Sequence, residues 1–168
     1  GFILPPGEKA GKTFYNPAYE LTKNTSNQSL PDGGMLSVWT VKNMGPNNAE
    51  VYSGDVALQF SADGKLVAKY WLASKSVFIP ALETEVFKKN DHEFYLLTHV
   101  ADDKGTLVAS HLTQIDLKAK TMGARILVGD ERHVLNTKFP YVQSSDNDIQ
   151  FFGFDKGGKE FWTQKVSF

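Results

Sequence analysis

From Met35 onward, apolar and polar residues alternate along this chain with a period of two. Leu36, Val38 and Thr40 alternate with Ser37, Trp39 and Val41, and Val56, Leu58 and Phe60 alternate with Ala57, Gln59 and Ser61. Leu66, Ala68, Tyr70 and Leu72 then continue one face of a returning strand. Such alternation places successive side chains on opposite faces, the mark of a half-buried β-strand. By the same rule strands are predicted at Ser76–Ile79, Phe94–Ala101, Thr106–Leu117, Ala124–Val128, Val134–Lys138, Ile149–Phe154 and Lys159–Phe168. One segment breaks the rule: Leu82, Val86 and Lys89 fall at helical spacing, which predicts a short helix over Ala81–Lys89.

Three of the predicted strand pairs turn on Asp and Gly. The turns are Ser61-Ala62-Asp63-Gly64, Asp102-Asp103-Lys104-Gly105 and Asp155-Lys156-Gly157-Gly158. Gly takes the positive φ that a tight reversal demands, and Asp bonds the backbone just beyond itself. Residues 1–34 read differently. Pro5-Pro6, Asn16-Pro17, Pro31 and Gly33-Gly34 punctuate them, and a polar run, Thr22–Ser29, lies between. This predicts an irregular N-terminal arm with one short strand near Lys12–Tyr15, followed by a single antiparallel β domain over 35–168. The expected fold is all-β, an antiparallel β-sandwich or flattened barrel of about nine or ten strands; the alternative is a propeller-like repeat of hairpin units. A weak internal repeat favours the alternative: the segments beginning at Leu36 and Val56 resemble those beginning at Phe94 and Leu112, offset by 58 and 56 positions.

Composition narrows the class. At 168 residues, 41% hydrophobic and 22% charged, the chain has the make-up and size of one globular domain. A formal charge of −1 gives no electrostatic reason to expect a nucleic-acid partner, and no run approaches the apolar length of a transmembrane helix. There is no cysteine, so disulfides and thiolate metal sites are excluded. An Asn/Ser/Thr-rich β protein starting on Gly rather than Met points to an extracytoplasmic place, periplasmic, secreted or on the surface.

Candidate chemistry is sparse. Gly11-Lys12-Thr13 falls short of a phosphate-binding loop because Pro6 stands where its first Gly belongs. Pairing Ala101 with Thr106 sets His99 opposite Val108 and His111 opposite Leu96, so the two imidazoles face opposite sides of the sheet. A register slip of one residue would reverse that. His92 and His133 sit in polar loops. Asp55, Asp116 and Glu160 are the carboxylates embedded in strands, and no nucleophile elbow or triad spacing is present. No cofactor is expected, except that Asp146 and Asp148, with Asn147 between them, have the spacing of calcium ligands.

Aromatics give the clearest lead. Around Ile149–Trp162, Phe151 lies on one face of a strand and Phe152 and Phe154 on the other, with Trp162 returning beside them. A strand apolar on both faces is either central in a layered fold or presents one face to a partner. Phe151, Phe152, Phe154 and Trp162 are therefore the candidate binding surface.

Three resemblances follow from these segments. Phe60-Ser-Ala-Asp-Gly-Lys-Leu-Val-Ala68 resembles the strand-turn-strand of WD-repeat propeller blades, and Phe154–Trp162 shares its cadence. The closing alternation of Trp162, Gln164, Val166 and Phe168 resembles the terminal strand of outer-membrane β-barrels, although the charged hairpin turns depart from that pattern. Phe14–Pro17, Leu36–Val41 and Val56–Tyr70 are similar in order and spacing to small exported bacterial proteins of the surface-adhesin E type, whose cysteines are absent here. None carries binding residues over. The expected function is a non-enzymatic binding or interaction module with a protein or glycan partner. The alternatives are a hydrolase whose site is assembled from loops, and a structural subunit that joins a neighbour through edge strands.

Overall fold

A computed structural model of the chain describes residues 1–9, 20–44, 50–74, 83–102 and 106–168. Thirteen strands make up its regular structure: β1 (Glu20–Ser29), β2 (Met35–Met44), β3 (Glu50–Phe60), β4 (Leu66–Ser74), β5 (Glu85–Lys88), β6 (Glu93–Ala101), β7 (Leu107–Asp116), β8 (Thr121–Met122), β9 (Ile126–Val128), β10 (His133–Leu135), β11 (Tyr141–Ser145), β12 (Asp148–Asp155) and β13 (Phe161–Ser167). They form three sheets in chain order, with every strand pair antiparallel. The first sheet is β1-β2-β3-β4. The second is β5-β6-β7, with β8 and β9 sharing the far edge of β7; the third has β10 and β11 along one edge of β12 and β13 along the other. No sheet closes into a barrel, and the face-to-face packing is that of a β-sandwich with a third layer. The three sheets formed by the described residues are also fewer than the four blades that a complete propeller needs.

The layers are stacked by the alternation itself. Leu36, Val38, Ala57, Tyr70 and Leu72 of the first sheet pack against Phe94, Leu96 and Ile115 of the second. The opposite face of the second sheet, through Tyr95, Leu97, Leu112 and Val128, packs against Leu135, Ile149, Phe151 and Val166 of the third. The outer face of the first sheet, Val41, Val56, Leu58 and Trp71, is covered by Phe2 and Leu4. Ile3 forms a parallel bridge to Tyr70 along the edge of β4, with Ile3 N donating to Lys69 O at 2.7 Å and Trp71 N to Ile3 O at 3.0 Å. The segments of the apparent repeat occupy matching places, the second and third strands of successive sheets.

Three expectations change. The described residues hold thirteen strands rather than about nine or ten, with β1, β5, β8 and β11 the additions. Residues 1–34 are not irregular throughout: the polar run forms β1, ten residues paired with β2. Its period is hidden because amides and hydroxyls, rather than apolar contacts, hold it down. Asn24 Nδ2 donates to Ser37 Oγ at 3.0 Å and Ser37 Oγ to Asn27 Oδ1 at 2.6 Å. The segment read as a helix contains strand β5 instead, with Val86 paired to Leu96 and Phe87 to Tyr95. Consecutive Val86 and Phe87 serve the two faces of a sheet covered on both sides, so no period of two marks the strand. The predicted strands at Lys12–Tyr15 and Ser76–Ile79 and the Gly11-Lys12-Thr13 segment lie outside the described residues.

Candidate functional site

The last hairpin places the candidate aromatics. Asp155 closes its turn by accepting from Lys159 N at 2.5 Å and Glu160 N at 2.8 Å, while Gly158 takes a φ of 69°. From that turn β12 and β13 pair without a break: Phe154 with Phe161, Gly153 with Trp162, Phe152 with Thr163, Phe151 with Gln164. Cross-strand partners share a face, so two aromatic sets separate.

Phe151 belongs to the inward set. It is fully buried between the second and third sheets, edge-on to Tyr141 at 6.3 Å, so it packs the core and is closed to a partner. Trp162 also points inward. Its indole lies over Gly153, half-buried, and donates through Nε1 to Val134 O at 3.2 Å. The outward set is Phe152, Phe154 and Phe161. Phe152 and Phe161 stack at 6.1 Å, and Phe154 meets Phe161 edge-on at 5.6 Å. Phe154 is 39% exposed and Phe161 60%, so the two rings present on the order of 200 Å² to solvent. Phe161 is absent from the candidate binding surface read from the sequence, although it falls within the predicted strand Lys159–Phe168. The pairing of Phe154 across a turn ending at Glu160 is the signal that would have found it.

Beside this face lies an open depression of about 300 Å³ lined by Glu131, Arg132, His133, Asp155, Lys156 and Glu160. His133 Nδ1 bonds Asp130 Oδ1 at 2.8 Å, which raises the histidine above its ordinary range and lowers Asp130. A second depression, about 280 Å³, sits between turns of the first and second sheets and includes Asp32, Gln59, Asp91 and His92.

The catalytic and metal candidates are not brought together. His99 pairs with Ser110, and His111 with Thr98, a register two residues from the expected one. A shift of two preserves faces, so the imidazoles do point to opposite sides. His99 is buried with Nδ1 2.8 Å from Ser110 Oγ, and desolvation pushes it down to about 4. Burial also lowers His111, with the nearby Arg125 adding to the effect. Asp55 is buried, accepting from Thr40 Oγ1 at 3.2 Å, and Asp116 accepts from Lys118 N and Ala119 N at 2.9 Å in a turn. None of these four residues lines either depression.

Asp148 spends its carboxylate on Ser167 Oγ at 2.5 Å, Lys165 Nζ at 3.2 Å and Ser145 Oγ at 3.2 Å, and the Ser167 bond first, then Lys165, holds it below the usual carboxylate range. Asp146 is exposed in the adjoining turn. Among the described residues no group of three or more His, Asp or Glu side chains is placed to hold a metal ion. No helix among them is long and apolar enough to cross a membrane. Comparison with models of protein families, with curated proteins and with solved structures finds no match for this chain.

Proposed function

We propose that this chain is a non-enzymatic binding or interaction module, extracytoplasmic in a bacterium, which recognises its partner through the outward face of the third sheet. One observation carries the reading: Phe152, Phe154 and Phe161 form a contiguous aromatic cluster on a rigid two-stranded platform, and no layer of the described chain covers it. The other described sheet faces are packed, four of them by neighbouring sheets and one by Phe2 and Leu4. Exposed aromatic clusters of this kind are where partners dock, because rings carry large area at little conformational cost.

The test compares wild type with a Phe154→Ser/Phe161→Ser double variant on glycan and peptide arrays. Burying two rings that expose about 200 Å² is worth a few kcal/mol, so partners should weaken at least 10- to 100-fold. Binding that survives the double substitution, or turnover of a hydrolysable substrate panel by both proteins, would overturn the reading.

A further inference from the structure

We infer that β13 is an open docking edge at which an extended peptide segment, apolar at alternate positions, adds as a fourth strand to the third sheet. This rests on the proposed binding role of that sheet and names how the partner is held.

The first and second sheets are each four strands wide, counting β8 and β9 as one edge, whereas the third is three wide. Its free edge opposite β10 and β11 is β13. The backbone bonds identify the groups left over there. Asp155 N donates to Glu160 O and Phe168 N to Asn147 O, both at 2.8 Å, which fixes the phase of the ladder between them. In an antiparallel pair the hydrogen-bonded residues alternate. Glu160, Trp162, Gln164, Val166 and Phe168 therefore turn their backbone groups toward β12. Phe161, Thr163, Lys165 and Ser167 turn theirs outward, four donors and four acceptors in a row. Their side chains lie on the same face as Phe152 and Phe154, so an added strand would set its alternate side chains beside the phenylalanine cluster.

The other sheet edges among the described residues are blunted, as open edges in folded proteins generally are. Two register irregularities break β1, and Ile3 occupies the edge of β4. Four residues make up β5, two make up β8, and three each make up β9 and β10. The register of β11 on β12 shifts between Gln143 and Ser145. By contrast β13 keeps seven consecutive pairs with no shift and no Pro. The one charged side chain on it, Lys165, is turned to Asp148 of its own sheet.

The chain itself shows what such an edge accepts. At β4, Ile3 adds in extended form while Phe2 packs edge-on against Trp71 at 5.3 Å. Main-chain bonds hold the segment and alternate side chains fill the neighbouring apolar surface, the two parts of strand-addition recognition. At β13 the outward backbone groups and the phenylalanine cluster lie side by side.

The experiment uses the full chain and a capped seven-residue peptide of alternating valine and threonine, at about 1 mM, read by residue-resolved amide hydrogen exchange and aromatic NMR shifts. The expected result is slowed exchange, by roughly tenfold, at the amides of Phe161, Thr163, Lys165 and Ser167, abolished when alternate peptide nitrogens are methylated. A Thr163→Pro variant removes one outward donor without touching the β12 ladder, and should lose the protection while melting close to wild type. Unchanged exchange at the four amides would overturn the inference. So would amides already protected in the free protein with the solution mass of a dimer, since a second copy would then fill the edge. Shifts at Phe152, Phe154 and Phe161 without amide protection would overturn strand addition and leave the aromatic binding face standing; no shift at either would count against both.

Discussion

Gly153 is the residue on which the third sheet's geometry most directly depends, and Gly153→Ala tests it. A methyl group built there would sit 2.0 Å from Val134 O, 2.5 Å from Trp162 Nε1 and 2.7 Å from Trp162 Cε2. The indole could swing away, but the carbonyl could not retreat without opening the pairing of β10 with β12. Two costs combine: overpacking, about 1–3 kcal/mol, and loss of the Trp162 bond to Val134 O, about 1 kcal/mol. A total near 3 kcal/mol corresponds to a fall in Tm of about 10 °C for a domain of this size. Urea and thermal unfolding give the energy, and near-UV circular dichroism reports the indole. Because the methyl group meets both ring and carbonyl, a double-mutant cycle with Trp162→Ala should show at least about 1 kcal/mol of coupling. A variant melting within about 2 °C of wild type, with an unaltered aromatic spectrum, would refute the close approach of Trp162 to Gly153.

Other outcomes follow from named contacts. Tyr70 is buried with its hydroxyl 2.8 Å from Gln59 Oε1, and Gln59 in turn reaches Leu117 O at 3.3 Å, so Tyr70→Phe should cost about 1 kcal/mol in urea unfolding. For His99 the folded pKa of about 4 lies below the unfolded value of 6.5, so between these values the unfolded chain binds the extra proton and stability falls as pH drops. That loss should reach about 2 kcal/mol from pH 7 to pH 5. The downward shift of His111 acts in the same direction and the upward shift of His133 opposes it. A His99→Asn variant should show a shallower pH dependence in paired urea titrations; equal slopes would remove His99 as the cause. Asp155→Ala deprives Lys159 N and Glu160 N of their acceptor and should destabilise the last hairpin by roughly 1–2 kcal/mol, read as faster amide exchange along β13.

Much of this fold is legible in the sequence where burial alternates. The hairpin of β3 and β4 can be traced from Val56–Phe60 and Leu66–Leu72 although both its faces pack, Ala57, Tyr70 and Leu72 against the second sheet and Val56, Leu58 and Trp71 under Phe2 and Leu4, because the Asp/Gly turn between the two runs marks the reversal. Legibility fails where alternation carries no information. The ladder of β1 is written in Asn and Ser, and β5 is apolar on both faces, so neither shows a period of two. The candidate site divides in the same way. That Phe151 opposes Phe152 and Phe154 follows from position alone. Which face is the core does not, because both are aromatic; the second sheet decides it by packing on Phe151. Trp162 reads as surface until its pairing with Gly153 shows that a missing side chain makes room for the indole. Two of the three Asp/Gly turns behave as their chemistry requires, with Gly64 and Gly158 at φ of 80° and 69° and Asp155 accepting from Lys159 N at 2.5 Å; residues 103–105 of the third lie outside the described residues.

The second sheet has a neighbour on each side, and that arrangement has a kinetic consequence. Its central strands, β6 and β7, put Phe94, Leu96 and Ile115 on one side and Tyr95, Leu97 and Leu112 on the other. Neither side can be wetted without loss, so this sheet gains its full stabilisation only when both flanking layers have docked. Chains caught with one layer missing would show an apolar surface several strands wide, the species from which aggregation starts. Refolding yield should therefore fall with protein concentration more steeply than the stability of the finished molecule would indicate.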